Sequence, residues 1–233
     1  MSWFFRKPEL EPEYLYRLGK LLSPEALDIH SLAQQRLVVL DLETTGFDLR
    51  RDLVISIGAV VIDQGAIPFN QLFERTLYRN ITKVTESVLI HGIAPSALAA
   101  GEDPIKALLS LMEFVGNSPF LAYHARFDQQ MLERALRKTL GYRLTHPFFD
   151  VAEIAPMLNP DAKLDKAGLD DWVKYFGLNV HQRHHASADA LVTAEIALIL
   201  FKQAQSRGIE NLAQLEQRLA SWRRKQQANT LAF

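Results

Sequence analysis

Two patterns of apolar and polar residues divide the chain into predicted strands and helices. Short, nearly continuous apolar runs are typical of buried strands, whereas apolar residues three or four positions apart are typical of helices. The first pattern predicts strands near residues 36–42, 53–62, 119–123 and 148–150, and alternation of polar and apolar residues predicts another near residues 70–77. The second predicts helices near residues 12–22, 87–91, 104–115, 127–140, 166–176 and 186–203. Three successive strands, followed by strands that alternate with helices, predict an α/β fold with a mixed five-stranded sheet flanked by helices.

The length of the chain, 233 residues, suits one domain with extensions at both ends. We expect a helical N-terminal extension over residues 1–34 and a central domain over residues 35–205. Ser23, followed by a proline, predicts a second helix start within the N-terminal extension. Residues 206–233 are predicted to form a C-terminal helix and a basic tail, which is polar and aperiodic from about Arg223 and is therefore expected to be flexible.

Composition narrows the functional classes. Apolar residues make up 48% and charged residues 23% of the chain, as in ordinary globular proteins. No apolar run is long enough to cross a bilayer, and the N-terminal apolar stretch is too short for a signal peptide, so we expect a cytoplasmic protein with no membrane partner. The chain has no cysteine, so any metal must be bound by oxygen or imidazole ligands.

Charge is distributed unevenly, although the net charge is only −1. Residues 35–200 hold 16 Lys and Arg against 20 Asp and Glu, a net charge of −4. Residues 201–233 hold 6 against 2, a net charge of +4. An acidic centre beside a basic tail fits an enzyme that binds phosphate through metal, and it also fits ordinary solvated charges.

Asp41 and Glu43 are the first candidates for chemistry, because they end a buried apolar run. Residues two apart on a strand project to the same face, so the two carboxylates lie side by side. Neighbouring carboxylates repel each other unless a cation lies between them. The pair therefore predicts a cation site at the end of this strand.

Two more aspartates and a histidine extend this candidate site. Asp128 begins a helix that follows a strand, a position also favoured by the helix dipole alone. Asp189 lies early in an apolar helix, where an unpaired carboxylate is costly. His184 precedes that helix, and an imidazole ring is suited to take a proton from water. His185 is the alternative base, although it is expected to be a surface residue, and His124 is expected to be a core histidine.

Three segments in this order carry a family resemblance. Residues 41–46 (DLETTG), 124–128 (HARFD) and 184–189 (HHASAD) resemble the three motifs of the DEDDh group of 3′→5′ exonucleases. That group includes the epsilon proofreading subunits of bacterial DNA polymerase III and ribonuclease T. The resemblance covers roughly residues 35–205 and implies the ribonuclease H-like exonuclease fold.

The resemblance also implies a mechanism. Asp41, Glu43, Asp128 and Asp189 would hold two divalent cations, Mg²⁺ or Mn²⁺. The spacing of five residues before the last aspartate selects His184 as the general base. The expected reaction is release of nucleoside 5′-monophosphates from the 3′ end of single-stranded or frayed DNA, in proofreading or repair.

Residues around the motifs are expected to contact the nucleic acid. Thr44 and Thr45 would supply hydroxyl and amide groups, and His91 corresponds to a family position near the 3′-terminal nucleotide. Leu42 and Phe127, together with Phe47, would stack against the terminal base, and all three are equally consistent with ordinary core packing. The family often has asparagine at Ala125 and glutamate at Ser56, so this chain departs from the family in its substrate pocket.

Other functions stay open at this point. An exoribonuclease that trims RNA ends would use the same residues. An accessory module would bind a DNA polymerase or a sliding clamp, since residues 228–233 resemble clamp-binding peptides through Leu231 and Phe233. Ala228 stands where those peptides usually have glutamine. A metal-binding protein without catalysis is the third alternative, and the presence of His184 argues against it.

Overall fold

A mixed five-stranded sheet forms the centre of the protein. The computed structural model describes residues 8–80, 91–164, 167–179 and 184–231, with side chains described to residue 228. The strands are β1 (Leu37–Thr44), β2 (Val54–Ile62), β3 (Leu72–Thr76), β4 (Phe120–Ala122) and β5 (Phe148–Asp150). They lie in the order β3-β2-β1-β4-β5. The first three strands pair antiparallel, whereas β4 and β5 run parallel to β1. The predicted fold class is therefore confirmed.

Helices cover the sheet. In the described part of the chain they are α1 (Pro12–Leu18), α2 (Pro95–Ala99), α3 (Pro104–Val115), α4 (Ala125–Leu140), α5 (Val151–Leu158), α6 (Leu169–Phe176), α7 (Ala186–Ser206) and α8 (Leu212–Leu231). A short 3₁₀ helix spans Pro160–Ala162. None of these helices combines the length and the apolar composition that crossing a bilayer requires.

The sheet separates two apolar cores, because successive side chains of a strand point to opposite faces. Leu37 and Val39 of β1 pack with the long helix α7 on one face. Val38 and Leu40 pack with α3 and α4 on the other. All nine residues of β2 are buried, as expected for a strand that is covered on both faces.

Both flanking segments contribute to these cores. Leu32 lies in the core beside α7, together with Leu212, Leu215 and Leu219 of α8. The Leu32 N–H donates to the Glu210 carbonyl at 2.7 Å, which joins the two segments through the backbone. The boundaries of the predicted three-part division, residues 1–34, 35–205 and 206–233, stay a prediction.

Two sequence-based expectations are wrong. The predicted helix start at Ser23 is absent, since residues 21–26 have no regular structure. There the Glu25 N–H donates to the Asn117 carbonyl, and its carboxylate contacts Asn117 and His30, so tertiary contacts determine the local backbone.

The irregular tail predicted from Arg223 is instead helical, because α8 continues to Leu231. Neither glycine nor proline interrupts this helix, and the Arg223 guanidinium forms ion pairs with Glu153 and Glu216. The predicted clamp-binding segment spans residues 228–233. The side chains after residue 228 are not among those described, so clamp binding stays a prediction. The helix predicted over residues 87–91 also lies outside the described residues, except for His91.

Candidate active site

Asp41 and Glu43 lie where β1 emerges from the core. Both side chains are partly exposed, whereas Leu42 between them is buried in the core on the other face. The predicted projection of the two carboxylates to one face is therefore confirmed. That face is covered by α7, which carries Asp189.

A glycine lets α7 approach the sheet closely enough to complete this cluster. Gly58 of β2 lies directly opposite Asp41 in the antiparallel pair. A Cβ atom at Gly58 would lie 2.1 Å from the Ala186 carbonyl carbon and 2.2 Å from the Ser187 nitrogen, so no larger residue fits without a shift of the helix. The sequence-based prediction missed this role. The signal was available, because an isolated glycine in a strand often marks a close backbone approach.

The first turn of α7 brings a third carboxylate to the pair. Asp41, Glu43 and Asp189 each present an oxygen ligand, and these atoms all lie within 4.8 Å of one another. The Asp189 side chain is buried and accepts a hydrogen bond from the His184 N–H at 3.1 Å. Such a group of oxygen ligands suits a hard divalent cation.

Asp128 reaches the site from the other side of β1. Strand β4 pairs with β1 only at Val38 and Val39, so the later part of β1 lacks a strand on this side. Asp128, in the first turn of α4, accepts the Leu42 N–H at 3.1 Å and thereby satisfies this backbone donor. Burial, with smaller contributions from the nearby carboxylates of Asp150 and Glu43, raises the pKa of Asp128 to about 8. A cation near Asp128 would favour its ionised form.

His184 and His185 occupy different places relative to this cluster. His184 is exposed and has a left-handed backbone with φ of 62°, which directs its N–H to the Asp189 carboxylate. His185, also exposed, caps α7, and its carbonyl accepts the Asp189 N–H at 2.9 Å. The structure thus places the predicted base at the edge of the carboxylate cluster, next to solvent.

His124 and Asp150 form a supporting contact that the sequence did not predict. His124 is exposed rather than a core residue, because it adopts a left-handed conformation with φ of 59° at the start of α4. Its N–H donates to Asp150 Oδ1 at 2.9 Å, and the same oxygen accepts the Ala152 N–H. Burial raises the pKa of Asp150. The only signal in the sequence was an aspartate that ends a predicted strand.

The predicted substrate hydroxyls are engaged within the loop after β1. Thr44 Oγ1 donates to the Gly46 carbonyl at 2.8 Å. Thr45 Oγ1 donates to Asp52 Oδ1 at 2.8 Å, and Asp52 also accepts the Asp48 N–H. These bonds fix the loop beside Glu43. A direct contact of either hydroxyl with substrate stays a prediction.

The predicted apolar contacts divide into core and surface. Leu42 belongs to the core. Phe47 is 83% exposed, and its ring centroid lies 5.9 Å from that of the half-buried Phe127. Because Phe127 directly precedes Asp128 in the chain, the pair presents an aromatic surface near that carboxylate, on which a base could stack.

His91 is buried, which lowers its pKa. Its Nδ1 accepts the Ile93 N–H at 3.1 Å, while its Nε2 is buried with no hydrogen-bond partner among the described residues. Contact of His91 with the terminal nucleotide stays a prediction.

Comparison with known proteins agrees with this geometry. A family model described as Exonuclease matches residues 38–197, which include all four predicted metal ligands and His184. The chain belongs to this exonuclease family. The family predicted from the three motifs is thus confirmed, and its members depend on divalent metal, which the acidic cluster fits.

Curated relatives of this exonuclease chain include much longer polymerases. The PolC-type DNA polymerase III of Clostridium perfringens is 36% identical over 170 residues, which is 71% of this chain and 11% of the relative. The corresponding protein of Thermotoga petrophila is 32% identical over 183 residues, 77% of this chain and 13% of the relative. The chain therefore spans only about an eighth of these relatives.

Solved structures share the fold. A structure of E. coli exonuclease I in complex with a dT13 oligonucleotide has a TM-score of 0.61 and 18% identity, covering 74% of this chain and 42% of that chain. Exonuclease I from Methylocaldum szegediense has a TM-score of 0.60 and 21% identity, covering 74% and 43%. At these identities the comparison establishes the ribonuclease H-like exonuclease fold.

Proposed function

We propose that this exonuclease is a metal-dependent 3′→5′ enzyme that releases nucleoside 5′-monophosphates from single-stranded or frayed DNA ends. The observation that carries the proposal is the group of Asp41, Glu43 and Asp189, whose ligand oxygens lie within 4.8 Å of one another. Asp128 adds a fourth carboxylate, which accepts a hydrogen bond from the N–H of Leu42, the residue between Asp41 and Glu43.

The four carboxylates are suited to hold two divalent cations, Mg²⁺ or Mn²⁺. When bound, such cations stabilise charge on the attacking and leaving oxygens of a phosphodiester. Asp41, Glu43 and Asp189 would hold one cation, and Asp128 would support the second together with Asp41. The raised pKa of Asp128 supports this assignment, because a buried carboxylate needs positive charge nearby to ionise at neutral pH.

His184 would take the proton from the attacking water. Its position next to Asp189 and its exposure to solvent both suit a general base. The exposed ring of Phe47 and the neighbouring Phe127 would stack on the terminal base. An unpaired end enters such a site at least cost, because no base pairs have to be broken.

DNA is favoured over RNA by the relatives. The curated relatives are named as DNA polymerases, and one related structure holds a dT13 oligonucleotide. The same names support a DNA polymerase as the partner of this chain. Exoribonuclease activity is the second candidate function, and the experiment below separates the two.

The test compares hydrolysis of matched single-stranded DNA and RNA oligomers by the purified protein, with and without Mg²⁺ or Mn²⁺. We expect cation-dependent release of mononucleotides, faster from DNA. Asp41→Asn should slow this release at least roughly 100-fold, since even residues that only support a metal ligand are worth 10- to 100-fold.

Asp63→Asn is the matched control, because it makes the same change away from the site. Asp63 follows Ile62, which pairs with Leu37 at the end of β1 opposite to Asp41 and Glu43. It should retain normal turnover. Equal rates for wild-type and Asp41→Asn proteins would refute the assignment, and faster release from RNA would favour the exoribonuclease.

A further inference from the structure

A cationic cavity lies at the end of the molecule away from the carboxylate cluster. It has a volume of about 280 Å³ and lies between the end of α5, the segment after α7 and one face of α8. Its lining consists of Met157, Leu158, Arg207, Ile209, Arg218, Ser221, Trp222 and Lys225. Among the described residues, this lining contains three cations and no acidic side chain.

The arrangement on α8 is regular. Arg218, Ser221, Trp222 and Lys225 follow one another at positions i, i+3, i+4 and i+7, so they share one face of the helix. The neighbouring Arg223 is engaged elsewhere, because its guanidinium pairs with Glu153 on α5 and Glu216. That pairing helps to dock α8 against α5 and so to form the cavity.

The three cations of the cavity are available for a ligand. Arg207, Arg218 and Lys225 are exposed, and none forms an ion pair within the described part of the chain. Trp222 lies one turn beyond Leu219, the last buried leucine of α8, and is itself partly exposed. The surrounding residues 201–233 carry a net charge of +4.

We propose that this cavity is a second binding site for single-stranded nucleic acid, with phosphates on Arg207, Arg218 and Lys225 and a base stacked on Trp222. Cations that track the backbone, combined with an aromatic face for the bases, are the general means of binding single strands without sequence preference. An acidic peptide would satisfy the cations as well, but it would offer no planar group to the indole.

The location suits one strand that contacts both sites. Helix α7 begins at the carboxylate cluster, helix α5 begins at Asp150 near Asp128, and both helices end at the cavity. From Asp189 to the end of α7 at Ser206 the helix rises roughly 25 Å. At the spacing of one strand in duplex DNA, about 3.4 Å per nucleotide, roughly seven nucleotides would cover this distance, and a more extended single strand would need fewer. The cavity would therefore hold the body of a strand whose 3′ end lies at the carboxylates, an inference that rests on the proposed function.

The experiment measures binding of the full-length protein to fluorescent single-stranded DNA with hydrolysis-resistant phosphorothioate linkages, in the presence of Mg²⁺ or Mn²⁺. One oligomer, of about two nucleotides, is too short to reach the cavity even when fully extended, and one is longer, at about twenty, since at most roughly seven are needed to span the two sites. Trp222→Ala should weaken binding of the long oligomer roughly 5- to 100-fold, the usual value of one stacked base. Trp222→Phe should retain most of the affinity, because the ring can still stack.

Arg218→Glu changes an exposed residue and so keeps the test valid even if Trp222→Ala impairs folding. It should weaken binding of the long oligomer and reduce its salt dependence, since each lost phosphate contact lowers the slope by about 0.7 for a single strand. Lys202→Glu is the matched control, with the same charge change on an exposed α7 residue outside the lining. It should leave binding nearly unchanged.

Unchanged affinity of the long oligomer in both Trp222→Ala and Arg218→Glu would overturn the proposal. The proposal would also be overturned if these variants lost affinity for the short oligomer as strongly as for the long one. A third contradicting result would be a poly-glutamate peptide that binds through these side chains while DNA binding is unaffected by their substitution. Failure of the proposed function can be told apart from failure of this binding site. If the protein binds long strands through the cavity but does not hydrolyse short oligomers in Mg²⁺, only the proposed activity is refuted.

Discussion

Backbone N–H groups position three carboxylates at and around the candidate site. Asp128 accepts the Leu42 N–H, Asp189 accepts the His184 N–H, and Asp150 accepts the His124 N–H. Two of these donors, His184 and His124, lie at left-handed residues that precede a helix. The geometry of the acidic cluster therefore depends on local backbone conformation as well as on the residues that carry charge.

The identity of the general base gives a prediction for single residues. His184→Ala should lower turnover by roughly 10²- to 10⁴-fold, the usual contribution of a positioned acid–base group. His185→Ala, which removes an exposed side chain at the cap of α7, should change turnover little. Steady-state release of mononucleotides measures both variants. A large loss of turnover in His185→Ala with little loss in His184→Ala would assign the general base to His185.

The protonation of Asp128 gives a prediction for stability. Its pKa is raised to about 8 in the folded protein, chiefly by burial, whereas an unfolded aspartate has a pKa of about 3.9. Between these values the folded state binds a proton that the unfolded state lacks. The contribution of Asp128 to stability is therefore lost as pH rises from about 4 to about 8, by at most about 1.4 kcal/mol per pH unit.

Urea unfolding in EDTA at successive pH values measures this effect. Asp128→Asn keeps the shape of the side chain and stays neutral, so its free energy of unfolding should fall less than that of the wild-type protein between about pH 5 and about pH 8, within the window predicted by linkage. An identical pH dependence in the variant would show that Asp128 is ionised in the cation-free protein.

At the scale of elements, the approach of α7 to the sheet determines whether the cluster forms. Gly58→Ala would place a methyl group 2.1 Å from the Ala186 carbonyl carbon. The start of α7 must then shift, which should cost roughly 1–3 kcal/mol of stability and separate Asp189 from Asp41. Urea unfolding and mononucleotide release measure the two effects.

Gly19→Ala is the control for this substitution. Gly19 has a right-handed helical backbone, and a methyl group there would lie 3.4 Å from its nearest neighbour, the Leu15 carbonyl oxygen, which is an ordinary contact distance. Both activity and stability should be nearly unchanged there. If Gly58→Ala behaves in the same way, close packing of α7 against β2 is not required for the site.

The elements also show where sequence patterns succeed and where they fail. Helices α3, α4 and α7 and strands β1, β2, β4 and β5 follow from apolar periodicity, because each buries apolar side chains. Strand β3 follows from alternation, and of its five residues only Phe73 is buried. The helix start expected at Ser23 fails, since Glu25 is held by Asn117 from a distant part of the chain. Contacts of this kind have no signature in the local sequence.

At the scale of the whole molecule, the three motifs predict the carboxylate cluster correctly, because the end of the central strand β1 meets the starts of helices α4 and α7. The roles of Gly58, Asp150 and Trp222 do not follow from the motifs. Gly58 left only a general signal in the sequence, a glycine inside a strand, whereas the contacts of Asp150 and Trp222 depend on packing between elements far apart in sequence. The extension of α8 to Leu231 likewise depends in part on the ion pair between Arg223 and Glu153.

Cation binding should stabilise the whole fold. A ligand that binds only the folded state adds about 2.7 kcal/mol at one hundred times its Kd. For a chain of this size that corresponds to a rise in Tm of roughly 5–10 °C. We expect Mn²⁺ to raise the Tm of the wild-type protein in a thermal scan and EDTA to reverse it, while Asp41→Asn responds much less. An equal rise in both proteins would place the cation elsewhere.

The direction of hydrolysis tests the central claim most directly. The measurement uses two copies of one single-stranded DNA oligomer, labelled at the 5′ end or at the 3′ end, with purified protein and Mg²⁺. We predict that the 3′ label is released at once as a mononucleotide, while the 5′-labelled oligomer shortens in a ladder of single-nucleotide steps. Immediate release of a 5′-labelled mononucleotide, or cleavage at internal positions, would contradict assignment of this site to a 3′→5′ exonuclease.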